Sequence, residues 1–224
     1  MTQRRGVRTA LAAAVVALLV AGGLVLLTGA AAPARFTTAA EVLAAINARN
    51  TQVGTARMHI ETASGTDIIA TTDGVTRFGP PQAYDTTITA RPVAGQSAKP
   101  LRTVVVDGVG YRMTVGVEAA PGKPWSRSGP AVLFGPAAPT SAPAAPQLLG
   151  VVEGDTVDGR PLVGYRIRSG TGAAPFDAVY FLDAAGTLRK QVDRFDQDNS
   201  ATTTYSDFGL PVDIQAPPAD LIGP

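Results

Sequence analysis

Residues 53–208 repeat one pattern, in which short runs of alternating apolar and polar residues are separated by turn residues. Alternation with a period of two is typical of β-strands that bury one face. Asp107-Gly108 and Asp158-Gly159 lie between such runs, where glycine supplies the positive φ of a tight hairpin turn. The pattern predicts roughly ten short antiparallel strands. They are expected at residues 55–62, 67–72, 75–78, 84–93, 102–106, 109–115, 163–168, 178–182, 188–195 and 201–208, with a further turn at Asp73-Gly74.

One helix is predicted ahead of these strands. Thr38 and Glu41 have the spacing of a capping box, in which each side chain bonds the other residue's backbone N–H. Val42, Leu43 and Ile46 then form an apolar stripe at helical spacing, and the helix is expected to end near residues 47–50. One early helix and many strands predict an α+β domain, with a curved antiparallel sheet packed on helical elements.

The N-terminus predicts a membrane segment. Arg4, Arg5 and Arg8 precede an uninterrupted apolar run over residues 10–27. At roughly 1.5 Å per residue, a helix of this length spans about 27 Å, close to the hydrocarbon thickness of a bilayer. The basic flank predicts a cytoplasmic N-terminus and an extracytoplasmic remainder. We therefore expect an anchor or signal over residues 1–34 and a β-rich domain over residues 35–224.

Two other fates of this segment are compatible with the sequence. Ala32-Pro33-Ala34 is a small-x-small site at which a signal peptidase could cut, which would release a secreted domain beginning at Arg35. Arg4-Arg5 also fits a twin-arginine signal. The run length favours a retained span, because the apolar part of a cleaved signal is usually about 7–15 residues long.

Composition excludes several classes of function. Three of the 19 basic residues precede residue 35 while all 18 acidic residues follow it, so the domain has no basic excess and nucleic acid is not an expected partner. The chain has no cysteine and a single histidine, His59, so neither a thiolate site nor a histidine-based zinc site is expected. No phosphate-binding or nucleophile-elbow motif is present. We predict no catalytic residues, no metal and no cofactor.

Residues 135–146 interrupt the strand pattern with four prolines. Each proline removes a backbone donor, so neither a continuous helix nor a paired strand is expected there. Leu133 and Phe134 precede this stretch and Leu148 follows it. The stretch is either a tethered surface loop or a flap over the sheet.

The order of segments resembles a known family. Tyr111-Arg112-Met113 is followed by Trp125, then by GRPLVGYRI at residues 159–167, VYFLDAAGTLR at 179–189 and TYSDFGLPVDIQAP at 204–217. This order is similar to that of the LppX/LprG family of actinobacterial lipoproteins, which share the LolA/LolB-like fold. The similarity covers roughly residues 37–218. The chain departs from the family at Ala30, where the lipobox cysteine would stand.

The resemblance implies an open half-barrel that encloses an apolar cavity for the acyl chains of a lipid or acylated ligand. A membrane span would replace the missing lipid anchor at the cytoplasmic membrane. We expect a non-enzymatic lipid carrier, or alternatively an envelope sensor or protein-interaction module on the same fold. The residues expected to line the cavity are Val42, Leu43, Ile46, Trp125, Leu133, Phe134 and Leu148.

Overall fold

The structure is a computed structural model that describes residues 36–92, 98–130, 145–169 and 176–223. Within these ranges twelve strands form one open sheet in the order β12-β6-β5-β4-β3-β2-β1-β11-β10-β9-β8-β7. All neighbouring strands are antiparallel except β12 and β6, which are parallel. The elements are α1 (Ala39–Val53), β1 (Thr55–Ser64), β2 (Asp67–Arg77), β3 (Ala83–Ala90), β4 (Leu101–Val106), β5 (Val109–Thr114), β6 (Trp125–Pro130), β7 (Gln147–Val157), β8 (Arg160–Ser169), β9 (Phe176–Leu182), β10 (Leu188–Arg194), β11 (Asn199–Ser206), a short 3-10 helix (Ala219–Leu221) and β12 (Ile222–Gly223).

This architecture confirms a large open antiparallel sheet with one α-helix among the described residues. The predicted membrane segment and the domain boundary after Ala34 lie outside the described residues, as do Leu133, Phe134 and most of the proline-rich stretch. No helix in the part of the chain that the structure describes is long and apolar enough to cross a membrane.

The predicted turn at Asp73-Gly74 is wrong, because β2 runs through it without a break. Gly74 pairs with Met58 on one side and with Thr86 on the other. A Cβ at Gly74 would collide with the carbonyl oxygen of Asp85 and would lie 2.8 Å from the Thr86 Cα. A glycine inside a strand often marks a bulge or a place where another backbone approaches closely, and Gly74 is an example of the close approach.

Strand β7 was not predicted from the sequence. Its pairing with β8 shifts register between Leu148 and Gly150 and again between Glu153 and Asp155. Each shift is a bulge that interrupts the alternation of faces. The apolar residues of β7 therefore do not follow the period-two pattern by which strands are recognised.

The helix begins as predicted but extends beyond its predicted end. Thr38 Oγ1 accepts from the Glu41 backbone N–H at 3.2 Å, and Glu41 Oε2 accepts from the Thr38 N–H at 3.1 Å, which confirms the capping box. The helix continues to Val53 and ends at Gly54, whose φ is +78°. Arg49 Nε donates to Thr187 Oγ1 at 3.0 Å, and this contact ties the last turns of α1 to the sheet.

The two faces of the sheet are covered by different parts of the chain. On the helix face, α1 packs against β8, β9 and the start of β10 in a cluster whose buried members are Ala39, Val42, Ile46, Tyr165, Ile167, Leu182 and Leu188. On the opposite, outer face, residues 212–222 pack over β2–β6. Their cluster has Ala83, Val104, Trp125 and Ile214 as its buried members.

Candidate ligand-binding site

A pocket of about 500 Å³ opens between the last turns of α1 and the ends of the strands β2–β5. Val105 of β4 lines it, and this side chain is buried. The β2–β3 loop, the β4–β5 turn and the outward side of α1 supply the rest of the lining. These residues are Asn47, Thr51, Gly79, Pro80, Pro81, Gln82, Asp107 and Gly108. The volume lies within the usual range of small-molecule sites, about 300–1,000 Å³.

The register assigns Val105 to the helix face. Val104 and Val105 are consecutive on β4 and so point to opposite sides of the sheet. Val104 packs with Trp125 and Ile214 on the outer face, whereas Val105 meets α1 across the pocket. The pocket therefore continues the helix face of β1–β4. The buried residues of that face are Ala56, Met58, Ile60, Thr72, Tyr84, Thr86, Thr103 and Val105.

Charged side chains are almost absent from the helix face. In the regular, unbulged parts of β1–β5 and β8–β11, the register turns the charged residues outward with two exceptions, Arg112 on β5 and Asp193 on β10. On the outer face Arg102 forms two hydrogen bonds with Asp85, at 2.9 and 2.6 Å. This separation gives the sheet one apolar and threonine-rich side, which suits the burial of an apolar ligand.

Asp193 is the buried charge of the helix face, and two tyrosines lie near it. Burial raises the pKa of Asp193, while hydrogen bonds from Gln191 oppose that shift. Burial together with the nearby Asp193 charge raises the pKa of Tyr180 to about 12. The pKa of Tyr205 is also raised, first by burial and then by Asp193 and Tyr180. All three groups therefore favour their neutral forms more than they would in water.

The structure brings four of the predicted cavity residues together. Val42 and Ile46 are buried in the cluster under α1, and Leu43 and Leu148 are partly buried against the same cluster. Trp125 lies elsewhere, in the cluster on the outer face. Whether any of these residues contacts a ligand stays a prediction.

The pocket residues were not identified from the sequence. Asn47 and Thr51 lie one turn apart on the polar side of α1, and polar positions of a helix are usually solvated. Gly79-Pro80-Pro81 indicates a loop between strands but not what faces it. The pocket depends on where α1 lies relative to two loops distant in sequence, which local patterns do not encode.

His59 lies on the outer face, away from the pocket. Its Nδ1 is 2.7 Å from Asp73 Oδ1, and its Nε2 is 3.8 Å from Glu61 Oε1. The two ring nitrogens thus point to different carboxylates rather than to one shared position. Among the described residues no group of three or more histidine, aspartate or glutamate side chains is arranged to hold a metal ion.

No protein-family model matches the chain, and no curated protein matches it. Its fold is similar to that of LprF from Mycobacterium bovis, with a TM-score of 0.46 and 15% identity over 79% of this chain and 95% of LprF. LppX from Mycobacterium tuberculosis gives a TM-score of 0.45 and 16% identity, over 79% of this chain and 100% of LppX. A LolA superfamily protein from Nitrosomonas europaea gives 0.32 and 12%, over 79% and 95%.

Proposed function

We propose that this chain is an extracytoplasmic, membrane-tethered protein that binds the acyl chain of a lipid without catalysing a reaction. The observation that carries this proposal is the pocket of about 500 Å³ beside α1, which continues onto a sheet face with only two charged side chains in its regular strands. Each CH₂ group that leaves water for such a surface contributes about 0.8 kcal/mol. A long acyl chain would therefore bind without specific polar contacts.

The tether is proposed from residues 1–34 alone. Their basic flank and 18-residue apolar run support a single span with the domain on the outer side. A reporter that is active only outside the cytoplasm, fused after Pro224, should be active. The chain should also stay with membranes after a carbonate wash. A soluble form that begins at Arg35 would show instead that the segment is cleaved.

Lipid binding can be tested on the full chain purified from its native membranes. We expect native mass spectrometry to detect bound lipid and organic extraction to identify it. Asn47→Trp should fill the pocket from the exposed side of α1 and reduce the bound lipid several-fold. Ala48→Trp is the matched control, since Ala48 is also exposed but does not line the pocket. Absence of lipid from the wild-type chain, or equal loads in both variants, would contradict the proposal.

A sensor or interaction module is the second candidate. It is favoured by exposed apolar side chains at the opposite end of the sheet from the pocket, at the strand ends that include the β1–β2 and β10–β11 turns. Ile68, Ile69 and Phe195 are each more than 40% exposed there. If the chain carries no lipid but co-purifies in a fixed ratio with one envelope protein, this candidate replaces the first.

A further inference from the structure

Arg112 is the one basic side chain that the regular strands β1–β5 and β8–β11 place on the helix face. It follows Gly110 by two residues on β5, so both point to the same side of the sheet. Gly110 pairs directly with Val105, which lines the pocket. Arg112 therefore lies next to the pocket on the same face, and its side chain is exposed.

Several basic residues of the sheet have carboxylate partners. On the outer face Arg102 lies 2.6 Å from Asp85, Arg168 lies 2.7 Å from Asp177 and Lys190 lies 2.8 Å from Asp155. Arg112 has no hydrogen bond or ion pair from its side chain to any residue within the described ranges. Its exposed guanidinium group is hydrated, and within the described ranges no side chain competes with a ligand for it.

The neighbours of Arg112 on the helix face are hydroxyl-bearing residues. Thr103 pairs with Arg112 from β4, and Ser126 pairs with it from β6. Tyr84 is close enough for the Arg112 charge to lower its pKa, against the larger effect of burial, which raises it. The Ser126 hydroxyl donates to the Arg112 carbonyl oxygen at 3.4 Å. A threonine hydroxyl such as that of Thr103 can donate to the same anion that a guanidinium binds through two parallel N–H groups.

The charge distribution limits where an anion can sit. Asp107 lines the pocket at the tip of the β4–β5 turn, and its carboxylate would repel an anion at that end. Arg112 lies toward the other end of β5. An anionic head is therefore favoured at Arg112, with the apolar tail extending along the face toward Val105.

We propose that Arg112 binds the anionic head of an acyl ligand, a carboxylate or a phosphate, while the acyl chain occupies the pocket lined by Val105. This inference rests on the proposed function and gives the ligand its class, which is a single-chain or multi-chain anionic lipid. Because Arg112 is exposed, the head stays in contact with water and only the chain is buried. The guanidinium selects among lipids that would otherwise bind equally by their chains.

The test compares ligands that share a chain and differ in the head. The full chain is held in amphipol and crosslinked with photoactivatable palmitate, photoactivatable hexadecanol and a photoactivatable lysophosphatidate. We expect the two anionic probes to saturate at concentrations at least tenfold below that of hexadecanol. A preference of this size is expected for a charge-assisted hydrogen bond, and a tenfold difference in saturating concentration corresponds to about 1.4 kcal/mol.

Arg112→Gln should weaken the anionic probes about tenfold or more and leave hexadecanol unchanged. Arg127→Gln is the matched control, because Arg127 is exposed on the neighbouring strand β6 but pairs with Tyr111 of the outer-face cluster. Arg112→Lys should retain part of the preference for the anionic probes over hexadecanol, since lysine keeps the positive charge but cannot form the bidentate pair of hydrogen bonds. A stronger effect on lysophosphatidate than on palmitate would assign the head as a phosphate, and the reverse would assign a carboxylate.

Each remaining outcome separates this inference from the proposed function. If hexadecanol binds as tightly as palmitate and Arg112→Gln affects neither, the anionic class is overturned while acyl-chain binding stands. If none of the three probes crosslinks saturably, acyl-chain binding itself is overturned. If inorganic phosphate alone competes fully with palmitate at equal concentration, Arg112 belongs to a site for free anions, and the lipid assignment is wrong.

Discussion

The Asp193 carboxylate accepts two hydrogen bonds from the side-chain amide of Gln191, at 2.8 and 3.0 Å, two residues earlier on the same face of β10. Within the described residues no basic side chain pairs with this carboxylate. Ala178 and Ala201 are its neighbours on the adjacent strands, so small apolar residues flank the charge on both sides. A buried carboxylate without a cationic partner makes the stability of the fold depend on pH.

Asp193→Asn is expected to stabilise the protein at neutral pH by roughly 1–3 kcal/mol, the range for a buried polar group that is poorly compensated. Burial raises the pKa of Asp193 above 3.8, so the folded state holds this proton more tightly than the unfolded state. The resulting stabilisation is complete below pH 4 and is lost as pH rises through the folded pKa. Urea unfolding between pH 3.5 and pH 8 should show that decline in the wild type and much less of it in the variant.

Asp196→Asn is a control of opposite sign. Hydrogen bonds from Asn199 and from the Asp198 backbone lower the pKa of Asp196, so its contribution is present above pH 4 and is lost on acidification. The asparagine variant should therefore be less stable than the wild type at pH 7. If Asp193→Asn also loses stability at pH 7, the buried carboxylate is net stabilising and the prediction for Asp193 is wrong.

The capping box of α1 gives a second prediction. Thr38→Ala should destabilise the protein by about 0.5–2 kcal/mol, because the Glu41 N–H loses its side-chain acceptor. Glu41→Gln should cost less, since a glutamine at this position can still accept a hydrogen bond from the Thr38 N–H. Chemical unfolding monitored by far-ultraviolet circular dichroism measures both values. Equal losses in the two variants would show that the charge of Glu41, rather than its hydrogen bonds, stabilises the first turn.

The start of the helix and two hairpin turns could be predicted because each depends on a few neighbouring residues. Thr38 and Glu41 determine the cap, and Asp107-Gly108 and Asp158-Gly159 adopt the positive φ that their composition indicates. The helix end was predicted too early, because Arg49 is held by Thr187, which is 138 residues away in sequence. The pocket could not be predicted for the same reason, since it joins α1 to loops that only the sheet register brings close.

A third prediction concerns Gly74, where the sequence predicted a turn and the structure has a continuous strand. Gly74→Ala should cost about 1–3 kcal/mol or prevent folding, because the added methyl group meets the backbone of β3 rather than a movable side chain. Gly65→Ala is the control, with a φ of +61° and no atom within 4 Å of the added Cβ. It should cost about 1 kcal/mol, from its left-handed backbone alone. Thermal unfolding ranks the two variants, and a milder effect at Gly74 would mean that β2 and β3 are further apart than described.

Ile46→Trp tests whether the apolar stripe of α1 faces packed side chains or ligand space. Ile46 is 7% exposed and packs in the cluster that contains Tyr165, Leu182 and Leu188. The cluster has no room for an indole ring, so we expect the free energy of unfolding to fall by about 1–3 kcal/mol and the melting temperature to decrease. The lipid bound per folded molecule should stay the same, because the pocket lies on the other side of the helix, at Asn47 and Thr51. Asn47→Trp should give the opposite result, with unchanged stability and less lipid. If Ile46→Trp instead folds as well as the wild type and loses its lipid, the acyl chain lies under the stripe, where the sequence alone placed it.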